Sequence, residues 1–151
     1  FNDPKQIVIA GTKAGVDAAC EILKAKGAKR ALPLSVSAPF HSSLMKPAAD
    51  RLKQALVNVD LRSPAIAVVN NIDVASPSAV DDIRDALYSQ AFGPVRWTEV
   101  ILALKARGLA HIIECGPGKV LSGMVKRIDA ELQSATVLDP ASLVQARELL
   151  N

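Results

Sequence analysis

Short apolar runs and segments of helical periodicity follow one another along this chain. Five runs have the length and composition of buried strands: residues 6–10, 30–37, 65–69, 111–114 and 136–138. Six segments are predicted helices: residues 16–23, 44–59, 78–90, 97–104, 118–128 and the stretch that begins at Pro140. Because strands and helices mostly alternate, we predict an α/β protein in which helices cover a parallel sheet.

Particular residues mark where several of these helices begin and stop. Gly27 and Gly108 follow the first and fourth helical segments, as is typical of glycine beyond a helix carboxyl end. Ser78 is the predicted cap of the third helix. Asp139 followed by Pro140 predicts the start of the last helix, because proline is favoured at the first helical position.

Three polar loops follow predicted strands, at residues 37–43, 70–73 and 115–119. Ligands of open α/β sheets bind beyond the carboxyl ends of the strands, so we expect these loops to converge on one site. His41 lies in the first loop among small and polar neighbours, where an imidazole can serve as a general base. From position alone, a surface histidine without a function stays open as the plainer interpretation.

Composition narrows the classes of function that are open to the chain. Half of the 151 residues are apolar and 22% are charged, which is typical of a globular protein with a core. The net charge of +3 is spread along the chain, without the basic and aromatic clusters of a nucleic-acid-binding protein. Such mild basicity would favour an acidic protein partner. No apolar run is long enough to predict a membrane span.

Cysteine and histidine are too few and too scattered to predict a metal centre. His41 and His111 are the two histidines, Cys20 and Cys115 are the two cysteines, and none of them has the spacing of zinc ligands. The cysteines form no CxxC pair, and we interpret both as reduced, which suits a cytoplasmic protein. We therefore predict no bound metal.

A histidine base needs a nucleophile, and the sequence offers no strong candidate. It contains no GxSxG elbow, and Ser42 and Ser43, beside His41, are predicted helix caps. Cys115 precedes a Gly-Pro-Gly turn and a helix start, where amide donors would stabilise a thiolate. A small buried residue at a strand end is the favoured interpretation of Cys115. From the residues alone, the chain is an α/β protein with one candidate base.

Six segments, taken in order, resemble the malonyl-CoA:acyl carrier protein transacylases and the related acyltransferase domains of fatty-acid and polyketide synthases. They are FNDPKQIVIAG (1–11), AKRALPL (28–34), APFHSSLMKPA (38–48), VVNNIDV (68–74), QAFGPVRWT (90–98) and ECGPGKVLSG (114–123). Their order and spacing are similar to those of the family's carboxyl-terminal half. The resemblance covers nearly the whole chain and fades after about residue 135.

This resemblance implies a fold that periodicity does not show. Members of the family have an α/β-hydrolase-like parallel-sheet core with a small inserted ferredoxin-like subdomain. By the resemblance, residues 1–37 are the end of the ferredoxin-like subdomain, and residues 38–151 are the carboxyl-terminal part of the acyltransferase core. The proline-containing stretch at residues 37–40 is the predicted boundary between them.

The resemblance also implies a reaction and the residues that perform it. The family transfers malonyl from coenzyme A to the phosphopantetheine thiol of acyl carrier protein through an acyl-serine, with no bound cofactor. His41 matches the general base and acid of the family, and Gln90 matches the residue whose backbone carbonyl orients that histidine. Phe40 matches a substrate-binding position that accompanies malonyl selectivity, and Asn2 is expected near the cleft.

Three functional residues of the family have no counterpart in this sequence: the GHSxG serine, the arginine that pairs with the malonyl carboxylate, and an oxyanion-hole glutamine. We expect them in a missing amino-terminal half. The chain alone should then be inactive, and its partners should be that half, a coenzyme A thioester and acyl carrier protein. Two alternatives stay open: a non-catalytic module that binds acyl carrier protein, and a cysteine hydrolase that uses Cys115 with His41.

Overall fold

The structure, a computed structural model, describes residues 1–150, which contain six α-helices, one 3₁₀ turn and two β-strands. The helices are α1 (Lys13–Ala25), α2 (Lys46–Leu56), α3 (Val80–Gln90), α4 (Trp97–Ala106), α5 (Val120–Ile128) and α6 (Pro140–Leu149). The strands are β1 (His111–Cys115) and β2 (Gln133–Val137), and the 3₁₀ turn is Ser43–Met45. The chain divides into a first unit, residues 1–7 with residue 96 onward, and a second unit, residues 8–95.

Two parallel strands form the sheet of the first unit. β1 pairs with β2 in the register Ile112–Ser134 and Ile113–Ala135, and α5 lies in the crossover between them. A crossover of this kind is required because parallel strands cannot be joined by a tight turn. The predicted α/β class is confirmed, and so are both strands, although β2 begins at Gln133 rather than near residue 136.

The core of the first unit lies where α4 and α5 meet the segment before β2. Ile101, Val125 and Leu132 are buried there, and Trp97 packs against them as a core residue. The apolar spacing that predicted α4 and α5 therefore reports the faces that these helices bury.

Local capping explains where α6 begins. Asp139 accepts a hydrogen bond from the amide of Ser142 at 2.8 Å, and the Ser142 hydroxyl accepts one from the amide of Asp139 at 2.9 Å. These reciprocal bonds form a capping box, and Pro140 occupies the first turn, where its missing N–H costs nothing. The helix start predicted from Asp139 and Pro140 is confirmed.

Truncating Ile101 should destabilise the first unit far more than truncating its neighbour on α4. Ile101 is 0% exposed and Leu102 is 45% exposed. We expect Ile101→Ala to lower the free energy of unfolding by about 2–5 kcal/mol, because it leaves a cavity in a packed core. Leu102→Ala should cost about 1 kcal/mol, because nearly half of that side chain already faces water. Urea unfolding of both variants checks this, and equal losses would contradict the assigned core.

The second unit contains a helix pair, α2 and α3, joined by polar contacts. Arg84 of α3 donates from Nε to the carbonyl of Leu56 at 3.2 Å and from Nη2 to that of Val59 at 3.3 Å. The Tyr88 hydroxyl donates to Asp50 Oδ1 at 2.9 Å. These bonds fix the direction of α3, whose last residue is Gln90.

Both predicted glycine stops are confirmed. Gly27 follows α1 with φ 88° and Gly108 follows α4 with φ 86°, a left-handed conformation that glycine adopts at little cost.

Three predicted strands, at residues 6–10, 30–37 and 65–69, are not strands in this structure, apart from a single bridge between Asp3 and Gln6. Most of their side chains are exposed, with Leu32 at 71% and Ile66 at 82%. An apolar run becomes a strand only when another strand accepts its backbone hydrogen bonds and covers its side chains. The runs were recognised correctly as apolar, but no partner strand lies beside them here.

Of the predicted serine caps, Ser78 is wrong, and Ser42 occupies the cap position of the 3₁₀ turn without a side-chain capping bond. The cap position of α3 is Ala79 rather than Ser78, and it makes no side-chain capping bond. Asp81 and Asp82 lie in the first turn instead, where negative charge interacts favourably with the helix dipole. Ser42 precedes the 3₁₀ turn, but its hydroxyl donates to the carbonyl of Pro39 at 2.7 Å rather than capping the turn.

Candidate functional site

His41 lies at the tip of a tight turn in the second unit. The bond from the Ser42 hydroxyl to the Pro39 carbonyl closes this turn, and the 3₁₀ turn follows directly. His41 has φ 58°, in the left-handed region that few non-glycine residues occupy. Backbone strain of this kind concentrates at functional sites, where surrounding contacts hold the residue in place.

The ring of His41 contacts the end of α3. Nδ1 lies 3.3 Å from the backbone carbonyl oxygen of Gln90. Because a carbonyl only accepts hydrogen bonds, the contact favours the tautomer with a proton on Nδ1, which leaves Nε2 free to act as a base. The sequence-predicted pair is thus close together in space, whereas its catalytic role stays a prediction.

Gln90 also contacts the second predicted loop. Its side-chain oxygen Oε1 accepts from the amide of Asn71 at 3.4 Å. The loop itself is held by Asn70, whose Oδ1 accepts from the amides of Ile72 at 3.0 Å and Asp73 at 3.1 Å. Two of the three predicted loops, residues 37–43 and 70–73, therefore meet at one residue.

Sequence reasoning missed both the Gln90 side chain and Gly93. A Cβ atom on Gly93 would lie 1.9 Å from Ile72 Cδ1 and 2.9 Å from the carbonyl oxygen of Ser89, so only glycine fits at this approach. Gly93 and Pro94 come shortly after the predicted site residue Gln90. A Gly-Pro pair at this place is the signal that could have indicated close packing there.

The third predicted loop, residues 115–119, belongs to the first unit. Glu114, at the end of β1, accepts from the amide of Ser122 at 2.8 Å and from that of Leu121 at 3.2 Å, and so caps the start of α5. Partial burial acts to raise the pKa of Glu114, but the hydrogen bonds from Ser122 and Leu121 outweigh it and lower that pKa. Cys115 is exposed rather than buried, contrary to the favoured interpretation.

The two predicted substrate residues lie in different units. Phe40 adjoins His41 and is 49% exposed. Asn2 belongs to the first unit, where its amide donates to the carbonyl of Gln6 at 3.1 Å. Their roles in substrate binding stay predictions.

The neighbour of Asn2 is a buried carboxylate that ties the start of the chain to α5. Asp3 accepts from Arg127 Nε at 2.7 Å and from the amide of Lys5 at 2.8 Å. The hydrogen bond from Arg127, followed by that from Lys5, lowers the pKa of Asp3. The ion pair between Asp3 and Arg127 holds the backbone next to Asn2 against α5.

Neither a metal site nor a membrane-spanning helix is found in the described part of the chain. Within residues 1–150, no group of three or more His, Cys, Asp or Glu side chains could hold a metal ion. None of the helices described is both long enough and apolar enough to cross a bilayer.

Sequence comparison identifies a consistent set of relatives. No protein-family model matches the chain. The malonyl CoA-acyl carrier protein transacylase of Haemophilus influenzae is 48% identical over 150 residues, which cover 99% of this chain and 48% of that protein. The Bacillus subtilis enzyme of the same name is 46% identical over 150 residues, or 47% of its length. The chain therefore spans about half the length of these relatives.

Solved structures give the same answer. An acyl-carrier-protein S-malonyltransferase from Burkholderia pseudomallei is 61% identical with a TM-score of 0.89, covering 91% of this chain and 45% of that one. A type II PKS acyl-carrier protein in complex with its malonyl-transacylase matches with a TM-score of 0.96 and 48% identity, over 99% of this chain and 48% of that one. By sequence and by fold, the chain is a homologue of the malonyl CoA-acyl carrier protein transacylases and matches the carboxyl-terminal part of these enzymes.

Proposed function

We propose that this chain supplies the histidine base of an enzyme that transfers malonyl from coenzyme A to the phosphopantetheine thiol of acyl carrier protein. One observation carries the proposal: the His41 ring is held through Nδ1 by the backbone carbonyl of Gln90, at 3.3 Å across 49 positions of sequence. This contact leaves Nε2 available for proton transfer. The nucleophilic serine would come from the other half of such an enzyme.

The resemblance implies the proton steps that we propose for His41. His41 Nε2 takes the proton of the serine hydroxyl as its oxygen attacks the malonyl thioester carbonyl. The imidazolium then gives that proton to the departing coenzyme A sulfur, which leaves a malonyl-serine ester and free thiol. In the second half-reaction Nε2 takes the phosphopantetheine thiol proton as the sulfur attacks the ester, and returns it to the serine oxygen. The chemistry needs no metal or bound cofactor.

The end of α3 lies against the ring of His41. Gln90 is the last residue of that helix, and its backbone carbonyl oxygen is 3.3 Å from His41 Nδ1. We infer that the carbonyl chiefly sets the tautomer and direction of the ring.

Phe40 and Asn2 are the proposed substrate-binding residues. A half-exposed aromatic ring beside the base would fill the space that a methyl branch of methylmalonyl needs, and so favour malonyl. For Asn2 we propose a role in substrate binding on the resemblance alone. We further propose that residues 1–37 and 38–151 are the end of a ferredoxin-like subdomain and part of an α/β-hydrolase-like core.

The partner with the largest interface would be the other half of the enzyme. The described chain has 10451 Å² of accessible surface at a mass of 15.9 kDa. A folded monomer of that mass exposes about 7,400 Å², and two separate domains of half that mass would together expose about 8,900 Å². The excess surface is therefore not explained by the division into two units, and it supports a missing partner.

Part of the exposed apolar surface lies on the three unpaired apolar runs. In residues 8–95, Ala49 and Leu56 are the buried apolar side chains, whereas Leu32, Leu34 and Ile66 are exposed. Exposed apolar surface of this extent marks an interaction site. We infer that strands of the other half pair with residues 6–10, 30–37 and 65–69.

Acyl carrier protein is the proposed acceptor partner. The net charge of +3 would favour an acidic protein by electrostatic steering. A structural neighbour is itself a malonyl-transacylase in complex with an acyl-carrier protein, which supports the assignment. Cys20 and Cys115 are both free thiols, and we propose a cytoplasmic location.

Restoring the other half tests the function. The amino-terminal half of the Haemophilus influenzae relative would be fused to residue 1, and malonyl transfer from malonyl-CoA to holo acyl carrier protein would be measured. We expect transfer by this chimera and none by either half alone, because nucleophile and base then reside in one enzyme. A folded chimera that transfers nothing would overturn the proposal.

The same assay separates the alternatives. A binding module predicts that the chain alone captures acyl carrier protein and that the chimera stays inactive. A cysteine hydrolase predicts that the chain alone cleaves malonyl-CoA and that Cys115→Ser abolishes the cleavage.

A further inference from the structure

Gln90 makes two contacts through two different groups of its own. One contact is to the proposed base, His41, and the other is to the loop at residues 70–73. Its backbone carbonyl contacts His41 Nδ1 at 3.3 Å, and its side-chain Oε1 accepts from the amide of Asn71 at 3.4 Å. The first contact is the one expected from the resemblance. The second contact orients the residue that makes the first.

The position of Gln90 makes that orientation matter. It is the last residue of α3, and the carbonyls of a final helical turn have no partner within the helix. The amides of Phe92 and Gly93 both donate to Ser89, at 3.4 and 2.8 Å, while the Gln90 carbonyl points to the His41 ring. Helix ends open more readily than helix interiors, so a side-chain anchor at this residue limits how far the carbonyl can swing.

The anchor is a rigid turn, which we call the Asn70–Val74 turn. The amide of Asn70 donates to the carbonyl of Ala75 at 3.0 Å, and Asp73 Oδ1 accepts from the amide of Ala75 at 2.9 Å. With the two bonds that Asn70 Oδ1 accepts, these contacts hold nearly every amide of the turn. A turn that is held at this many points can fix the groups bound to it.

The turn is also strained. Val74 has φ 64°, in a left-handed region that β-branched residues rarely occupy. Among the described residues, His41 and Val74 are the non-glycine residues with positive φ. Gln90 connects the local structures of both, and strain retained at two linked places indicates a functional constraint.

Gly93 gives the turn a second point of attachment to the end of α3. Ile72 fills the space in which a Gly93 Cβ would lie, at 1.9 Å from its Cδ1. The Asn70–Val74 turn therefore packs in close contact with the backbone that follows Gln90. Two independent contacts, one polar and one steric, join the same pair of segments.

We propose that Gln90 is a positioning residue whose side chain couples the Asn70–Val74 turn to the His41 base. The turn fixes the side chain, the side chain fixes the direction of the carbonyl, and the carbonyl fixes the imidazole tautomer. The inference deepens the proposed function and rests on it for its catalytic consequence. Its structural part, the control of the His41 tautomer, does not depend on activity.

The test compares three substitutions on α3. Gln90→Met keeps the length of the side chain but removes the acceptor, and Gln90→Glu restores an acceptor oxygen. Tyr88→Phe is the matched control, because it removes the 2.9 Å hydrogen bond to Asp50 from the same helix without touching Gln90. Ring ¹⁵N shifts of His41 at about pH 9, above the ordinary histidine pKa of about 6.5, report the fraction protonated on Nδ1. His111 serves as the internal reference.

We expect Gln90→Met to lower the Nδ1-protonated fraction of His41 and to lower kcat of the chimera about tenfold, with KM for malonyl-CoA within about twofold. Gln90→Glu should recover most of both, and Tyr88→Phe should change neither. The inference is overturned if Gln90→Met leaves the tautomer unchanged, or if Tyr88→Phe alters it equally. A tautomer shift in Gln90→Met together with an inactive parent chimera would reject the proposed function and keep the positioning role.

Discussion

Replacing His41 with alanine should lower kcat of the reassembled transferase about 10²–10⁴-fold, the range that a positioned general acid and base contributes. In the proposed mechanism the imidazole acts in both half-reactions, since it would take a proton from the serine hydroxyl and later from the acceptor thiol. KM for malonyl-CoA should change little, because the ring acts on the transferred proton rather than on the bound carboxylate. Steady-state kinetics with malonyl-CoA and holo acyl carrier protein measure both parameters.

His111 offers a matched control for this substitution. It is the other histidine of the chain and lies on β1, where it pairs with Gln133. His111→Gln should leave kcat close to that of the parent chimera. If His41→Ala kept more than about a tenth of the parent rate, general acid–base catalysis by this residue would be contradicted.

Helices were predictable because the signals that define them are local. Asp139, Pro140 and Ser142 form the cap of α6 within a stretch of four residues. Gly27 ends α1 through its own left-handed backbone conformation. Apolar spacing then gives the buried face without knowledge of what it packs against. The exact cap can still be missed, as at Ser78, when charge in the first turn replaces a side-chain cap.

Strands were less predictable because each one depends on a distant segment. β1 and β2 form since the chain carries both partners, His111–Cys115 and Gln133–Val137. Residues 30–37 and 65–69 have equally apolar sequences but make no ladder. The amino-acid pattern reports the tendency of a run to be buried, whereas pairing needs a second strand that the sequence of the run does not specify.

The candidate site was predictable only in part, for a related reason. His41 could be selected as a loop residue after an apolar run, but its contact with Gln90 spans 49 positions and rested on the resemblance. The contact between the Gln90 side chain and Asn71 has no sequence signal of its own, because any polar side chain at a helix end can bond in many directions. Geometry was needed to find it.

Amide exchange in the three unpaired runs should slow at least about 10³-fold when the other half of the enzyme binds. Residues 7–10, 31–35 and 65–69 lie in no ladder in the described chain, so their amides should exchange nearly as in an open segment. If these residues pair with strands of the other half, each paired amide exchanges only when the sheet opens, which costs far more free energy than opening an unpaired segment. A factor of 10³ corresponds to about 4 kcal/mol of protection. Exchange followed by mass spectrometry, with and without the separate amino-terminal half, measures the change.

β1 and β2 supply the internal control, because their ladder already exists within this chain. Ile112 and Ile113 should be protected before the other half is added, so the gain there should be much smaller than in the unpaired runs. Slowing that spread evenly over all segments would indicate general stabilisation and not strand pairing. A complex that transfers malonyl while residues 65–69 still exchange freely would show that the apolar runs are not its interface, and the origin of the excess exposed surface would have to be sought in the other exposed apolar residues.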